Sequence, residues 1–329
     1  MINRVLLYNS GGGIGDSIQI LPLIDTLKSN FINTKFYYLS AHENHFNSSL
    51  NDYKTNIETL NLEVKYFGFR WWHLLIVNNK IKKSNIEPFD LIIDLQTKIR
   101  NSLILKLIPN KHFLSTCFKF KLSNPNLNYK KQKKIQNTML KAINILYKKD
   151  YQLKEFDINK IDKKFHVESE RLLPKNNYVG LSITQGNIYR KKEWSFENII
   201  KLTNKLIELN KVPVFLIEKK NIQLKNKIQK IVPGALFPEH ESKISSPALV
   251  TCLGKRLDFA ITIDNGIMHM LSLSKVPLIS LFGPTDSDKF APEYDQSIIL
   301  DSKKIYKSKN VSDITVEDVL LAAKQYLNS

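Results

Sequence analysis

The chain has 329 residues, 43% of them hydrophobic and 24% charged, with 49 Lys and Arg against 31 Asp and Glu for a formal net charge of +18. That length and balance fit two globular domains, each able to bury its own core, and exclude a disordered or fibrous chain. Cys117 and Cys252 are far apart and without a metal-ligand spacing, so a disulfide framework is excluded and a reducing compartment is expected.

No segment approaches the ~20 apolar residues that cross a bilayer. The apolar run near the N-terminus is only four residues long before a Gly-rich turn, so it reads as neither a signal peptide nor an anchor. The charge is uneven: residues 1–165 hold 26 basic against 13 acidic side chains, the remainder 23 against 18. Residues 95–149 hold 13 Lys or Arg and no acid, with a cluster at Lys130, Lys131, Lys133 and Lys134. Such a surface attracts anionic lipid headgroups, phosphorylated glycans or nucleic acid.

Residues 4–8 read as a first strand, followed by a glycine-rich loop, 9–16, that contains Gly13, Gly15 and Asp16. Ile20, Leu23, Ile24 and Leu27 mark the inner face of a helix, and Pro22 inside it predicts a short first turn or a bend. The glycine spacing does not give a clean dinucleotide fingerprint, and no acidic residue closes the second strand, 35–39. A nicotinamide-dependent oxidoreductase is therefore disfavoured, and the lack of Gly-Lys-Ser/Thr leaves a nucleotide P-loop without support. Asp16, a carboxylate on a glycine-rich loop where a helix starts, can accept a proton from a hydroxyl in a cleft. Its competing reading is a helix N-cap.

Residues 67–73, FGFRWWH, form an aromatic and basic patch in which Arg70 and Trp71 suit a sugar or phosphorylated acceptor, with core packing of the two Trp as the alternative. A buried strand at 90–95 ends at Gln96 and leads to Arg100. Residues 122–136 read as an exposed loop or lid, and 151–174 as the interdomain linker.

A second α/β series follows. Strand 178–183 leads into the turn 184–187; helix 194–209 and strand 212–217 come next, ending at Glu218, where carboxylates commonly meet ribose hydroxyls. Helices at 222–231 and from 247 precede strand 259–263. Asp264, Asn265 and Gly266 then turn the chain into a helix that carries His269 one turn in. A helix N-terminus beside a strand end offers N–H groups and dipole to a phosphate. A further strand, 276–281, ends in a Gly-Pro-Thr turn, and the Asp286-Ser287-Asp288 after it reads as a coincidental D-x-D rather than a metal motif. Thr315 to Asp318 resembles a capping box for a last helix.

Four segments in this order, GGGIGDSIQILPLIDTLK (11–28), DLIIDLQTKIRNS (90–102), GLSITQGNIYRKKEWSFENIIKL (180–202) and DFAITIDNGIMHMLSLSKVPLISLFGPTD (258–286), resemble the heptosyltransferase-like glycosyltransferases of family 9. The resemblance implies an α/β GT-B fold: two Rossmann-like domains with parallel sheets facing across a cleft. Their expected limits are 1–165 for the acceptor side and 166–310 for the nucleotide-sugar side, with a C-terminal helix in 311–329.

It also implies an inverting, metal-independent transfer with no cofactor beyond a nucleoside-diphosphate sugar, ADP-heptose being one candidate. Asp16 matches the proposed general base, Thr184 and Lys192 the diphosphate contacts, Glu218 the ribose contact, and Asp264, Asn265, Gly266 and His269 the donor turn. Asn265 stands where the family usually has Thr, and the 184–192 loop is longer and adds Arg190 and Lys191. Gly13, Gly15, Arg70, Trp71, Gln96 and Arg100 are the acceptor-side candidates. The expected acceptor is a lipopolysaccharide-core or related lipid-linked or phosphorylated glycan, at a cytoplasmic location peripheral to the anionic inner membrane. Nucleic acid is not an expected partner. The alternative is a non-catalytic protein that keeps the sugar-nucleotide fold and binds anionic glycan or nucleic acid through its basic first domain.

Overall fold

A computed structural model of the chain describes residues 2–11, 13–84, 86–185 and 191–327. Two compact units divide it, Met1–Phe156 and Asp157–Ser329. The division falls within the segment read as a linker. Residue 165, the expected limit, lies inside the helix Lys163–Leu172 of the second unit.

Unit 1 is built on a five-stranded, all-parallel sheet of β1 (Arg4–Asn9), β2 (Lys35–Ser40), β3 (Glu58–Thr59), β4 (Phe89–Asp94) and β5 (Asn110–Ser115), in the order β3-β2-β1-β4-β5. The central strands β1 and β4 are apolar and buried on both faces, as a parallel sheet covered by helices requires. Helices α1 (Ile14–Ile18), α2 (Leu21–Asn30), α3 (His73–Ser84), α4 (Ile99–Leu105) and α5 (Ile135–Tyr147) accompany it. Pro22 sits in the first turn of α2, so the expected single helix is two short ones with a break at Gln19 and Ile20.

Unit 2 repeats the plan with β6 (Tyr178–Ser182), β7 (Val212–Phe215), β8 (Phe259–Ile263), β9 (Leu278–Phe282) and β10 (Ser297–Asp301), all parallel in the order β10-β9-β8-β6-β7. Its helices are α6 (Lys163–Leu172), α7 (Phe196–Glu208), α8 (Ile222–Ile231), α9 (Pro238–Glu241), α10 (Pro247–Gly254), α11 (Gly266–Ser274), α12 (Ser287–Phe290), α13 (Ser302–Ile305) and α14 (Val316–Leu327). The last helix opens on the expected box: Asp318 N–H donates to Thr315 Oγ1 at 3.1 Å and Thr315 N–H to Asp318 Oδ2 at 2.8 Å. Val316, Val319 and Ala323 of α14 join Trp194, Leu202 and Phe259 in one core, so residues 311–327 are part of this unit rather than a separate appendage.

Where α10 passes α11 the backbone of Gly254 comes so close that an added Cβ would lie 2.1 Å from Ser274 Oγ. Only a glycine lets the two helices approach this far, and that approach sets the seat of α11. The D-x-D is used locally: Asp286 caps α12, and Asp288 pairs with Lys304 at 2.7 Å.

In both sheets the strand order reverses direction at one place, between β1 and β4 in unit 1 and between β6 and β8 in unit 2. Open α/β sheets bind ligands outside the carboxyl ends of the strands at such points.

Candidate active site

In unit 1 the switch point is tied together by Asn9, the last residue of β1. Its Oδ1 accepts from Gly11 N–H at 2.9 Å and from Gln96 Nε2, while its Nδ2 donates to the Asp16 carbonyl at 3.1 Å. One buried amide thus fixes the glycine loop, α1 and the second residue past β4. Asp16 is not the N-cap of α1: that position belongs to Gly13, in extended conformation, and Asp16 lies in the first turn with Gly15 buried before it. The Asp16 carboxylate has no hydrogen-bond or ion-pair partner among the described residues. It lies over Gly11, where an added Cβ would sit 2.5 Å from its Cγ and Oδ2. Below it, burial, eased by the Ser17 hydroxyl at 3.2 Å and reinforced by the Asp16 carboxylate, pushes the Tyr38 phenol far up.

Behind this point Asp94 is fully buried. Its Oδ2 accepts from the hydroxyls of Ser102 and, at 2.9 Å, Ser115, and its Oδ1 from Gln96 N–H at 3.0 Å. Burial pushes its carboxyl up to about 6 although these bonds oppose it. A folded-state value above the ordinary carboxylate range means the fold favours the protonated form. Stability from this group is full below the unfolded value and is lost as pH rises through about 6. Asp94→Asn should therefore flatten the pH dependence of unfolding between about pH 4 and 6, by on the order of 3 kcal/mol. Urea midpoints across that range for variant and parent test it, and parallel profiles would contradict it.

Arg70, Arg100 and His73 gather around Gly68. Arg100 Nε donates to the Gly68 carbonyl at 2.7 Å, and Gly68 N–H donates to His73 Nδ1 at 3.1 Å. Burial, then Arg100, then Arg70 lower the pKa of His73, which keeps its ring a neutral acceptor. The Tyr8 hydroxyl, one residue before Asn9, donates to the Phe67 carbonyl at 2.9 Å and anchors this turn to β1. Trp71 and Trp72 are exposed, so the core-packing alternative does not hold for either.

In unit 2 the second switch point collects most of the expected donor residues. Asn265 is the N-cap of α11, its Oδ1 accepting from Met268 N–H at 3.0 Å, while its Nδ2 donates to Ser182 Oγ at 2.7 Å and to the Thr184 carbonyl at 2.9 Å. Lys192 Nζ donates to Asp264 Oδ2 at 2.5 Å and to the Asp264 carbonyl at 3.2 Å, and its own N–H donates to Gln185 Oε1 at 3.0 Å. Both partners of this ion pair are largely buried. An ammonium has three donors, so one remains for an anion. The first N–H groups of α11, at Gly266 and Ile267, have no acceptor within the helix, and His269 is buried one turn on. Arg190 and the turn residues from Gly186 lie outside the described residues.

Glu218 is exposed past the end of β7 and pairs with Lys220. Beside it Glu239 of α9 is buried, with Oε1 unpartnered among the described residues, and burial followed by the Glu218 carboxylate pushes its carboxyl up to about 7. Asn9, Gly11, Gln185 and Glu239 were not singled out from the sequence. An amide at a strand end before a glycine loop is the one signal that could have marked Asn9.

Two Rossmann-like units, each with polar side chains gathered at its switch point, define the α/β GT-B class of proteins. The pattern of glycosyltransferase family 9 (heptosyltransferase) matches residues 80–320. The chain therefore belongs to that family and is a glycosyltransferase.

Among solved structures, a glycosyltransferase family 9 protein from Veillonella parvula DSM 2008 is 18% identical, with 99% of this chain and 97% of that chain covered and a TM-score of 0.70. The E. coli heptosyltransferase WaaC with ADP is 14% identical, with coverages of 98% and 99% and a TM-score of 0.67. The UDP-GlcNAc 2-epimerase of Methanocaldococcus jannaschii is 15% identical, with coverages of 100% and 93% and a TM-score of 0.55. At these identities the likeness is one of fold. No curated protein matches the chain.

Proposed function

We propose that the protein moves a heptose-like sugar from a nucleoside diphosphate to a lipopolysaccharide-core or related lipid-linked glycan, with inversion and without a metal, in the cytoplasm at the inner membrane. The observation that carries the reading is the Asp16 carboxylate, which has no partner among the described residues and lies over a bare glycine at the end of β1. Structural carboxylates in this chain, such as Asp94 and Asp264, are held by hydrogen bonds or cations; Asp16 is not.

In the proposed step an acceptor oxygen attacks the anomeric carbon, the bond from that carbon to the phosphate oxygen breaks, and Asp16 takes the acceptor proton. The nucleoside diphosphate leaves with the electron pair. Its growing charge is met by the Gly266 and Ile267 N–H groups, by the third donor of Lys192 and by His269, an arrangement that supplies electrostatic stabilisation from fixed groups. Thr184 adds a hydroxyl at the same strand end, and Glu218 the ribose contact. Gly13, Gly15 and Gln96 shape the acceptor end, where Arg70 and Arg100 meet acceptor phosphates. ADP is the first nucleotide to test, since a solved relative of the same fold was obtained with it.

Incubating the purified protein with ADP-heptose and a heptose-deficient lipopolysaccharide core, followed by mass spectrometry of the glycan, decides the matter. A mass gain of one heptose supports the reading. Binding of ADP-heptose without transfer to this core would count against the proposed acceptor, and no binding of ADP-heptose against the proposed donor.

A further inference from the structure

Four large apolar side chains stand in the open at the start of α3: Trp71 is 55% exposed, Trp72 60%, Leu75 71% and Ile76 39%. They form one stripe. Leu75 N–H and Ile76 N–H both donate to the Trp72 carbonyl, at 3.1 and 3.3 Å, so the two Trp already lie on the helical path and each is followed by an apolar residue four positions on. The opposite face of the helix, through His73 and Val77, is buried in unit 1. A contiguous apolar surface of this kind on an otherwise solvated protein marks a site of contact.

Its surroundings say with what. From residue 64 to residue 86 the sequence contains five Lys or Arg and no acid. Lys82 and Lys83 close the exposed face of α3, and Arg70 lies over the Trp72 ring with its Cζ 5.7 Å from the centroid. Beside the stripe Lys98 lies 5.9 Å from the centroid of Phe69, whose ring adjoins the exposed Tyr66. Among the described residues of this stretch only Lys80 is drawn to an acid, Glu63, at 2.8 Å. Trp and Leu flanked by basic side chains match the boundary between headgroups and acyl chains of an anionic leaflet. There the indole bodies are buried, the polar edges stay wet, and each cation gains from surface potential.

We infer that the stripe formed by Trp71, Trp72, Leu75 and Ile76 is a wedge by which unit 1 inserts into an anionic lipid surface. The inference rests on the proposed lipid-linked acceptor, which would be met at that surface, and it assigns Trp71 to the bilayer rather than to the sugar. It names a specific insertion device where the overall charge implies only attraction.

The chain has three Trp, and the third, Trp194, is buried in the core of unit 2. Fluorescence therefore reports on the wedge. With vesicles of phosphatidylglycerol and phosphatidylethanolamine the full chain should co-sediment, its emission should shift to the blue, and acrylamide quenching should fall. Phosphatidylcholine vesicles should bind it weakly. Leu75→Glu combined with Ile76→Glu, both at exposed positions, should lower the partition coefficient about tenfold or more and leave transfer to a delipidated acceptor unchanged.

Failure to bind the anionic vesicles would overturn the inference. So would binding without a blue shift, since attraction alone would then suffice, or equal binding by the double variant. A wild-type chain that sediments as a dimer without lipid, and a double variant that does not, would give the stripe to a second copy and overturn it too. Vesicle insertion without transfer to a lipid-linked acceptor would leave the wedge standing and count against the proposed acceptor instead.

Discussion

Asp16→Asn should lower turnover by about 10²–10⁴-fold, the range general base catalysis supplies, while ADP binds as before. The substitution keeps the shape of the side chain over Gly11 and leaves the backbone bonds of the loop in place, because Asn9 holds the Asp16 carbonyl and not its carboxylate. What it removes is the ability to take a proton. The loss should therefore appear in kcat with little change in the donor KM, the signature of an interaction made only in the transition state. Steady-state kinetics with a heptose-deficient core as acceptor, paired with calorimetry of ADP binding, measures both quantities. Unchanged turnover would take Asp16 out of the mechanism.

Lys192→Ala should act on the other unit and in another way. The substitution leaves Asp264, which is buried, with its carboxylate uncompensated beside the start of α11. Losing one partner of such a pair costs about 3–5 kcal/mol, so unit 2 should unfold at markedly lower urea. A diphosphate would then lose a cation and face a bare carboxylate, and ADP affinity should fall about 10²-fold or more. The combination Lys192→Ala with Asp264→Asn separates the two effects. Stability should recover because no charge is stranded, while affinity stays low because the cation is still missing. Equal ADP affinity in parent and both variants would show that Lys192 serves the fold alone.

The central strands of both sheets were legible because β1, β4, β6 and β8 are short apolar runs ending in polar turns. Of the edge strands, β7 was legible, as 212–217, whereas β3, β5 and β10 were not. β5 opens with Asn110, Lys111 and His112 and β10 is only half-buried, since an edge strand needs no continuous apolar run. Asp264, Asn265 and Gly266 could be placed at a helix start from their order alone. Lys192 could be tied to the same turn only through family resemblance, because its contact with Asp264 spans 72 positions. The buried polar set of Asp94, Ser102 and Ser115 was invisible for the same reason: each residue looks like ordinary loop or helix polarity until the fold brings them together. Position 165 failed as a boundary because a charged, sparsely apolar sequence looks like linker even where it is the amphipathic helix α6.

Asn265 carries one more implication. A threonine there could receive the Met268 N–H, but its single hydroxyl could not also donate to both Ser182 Oγ and the Thr184 carbonyl as the amide does. The amide rivets the two neighbouring strand tips into one stiff jaw before any nucleotide arrives, so this protein should grip its ligand with little loss of loop freedom.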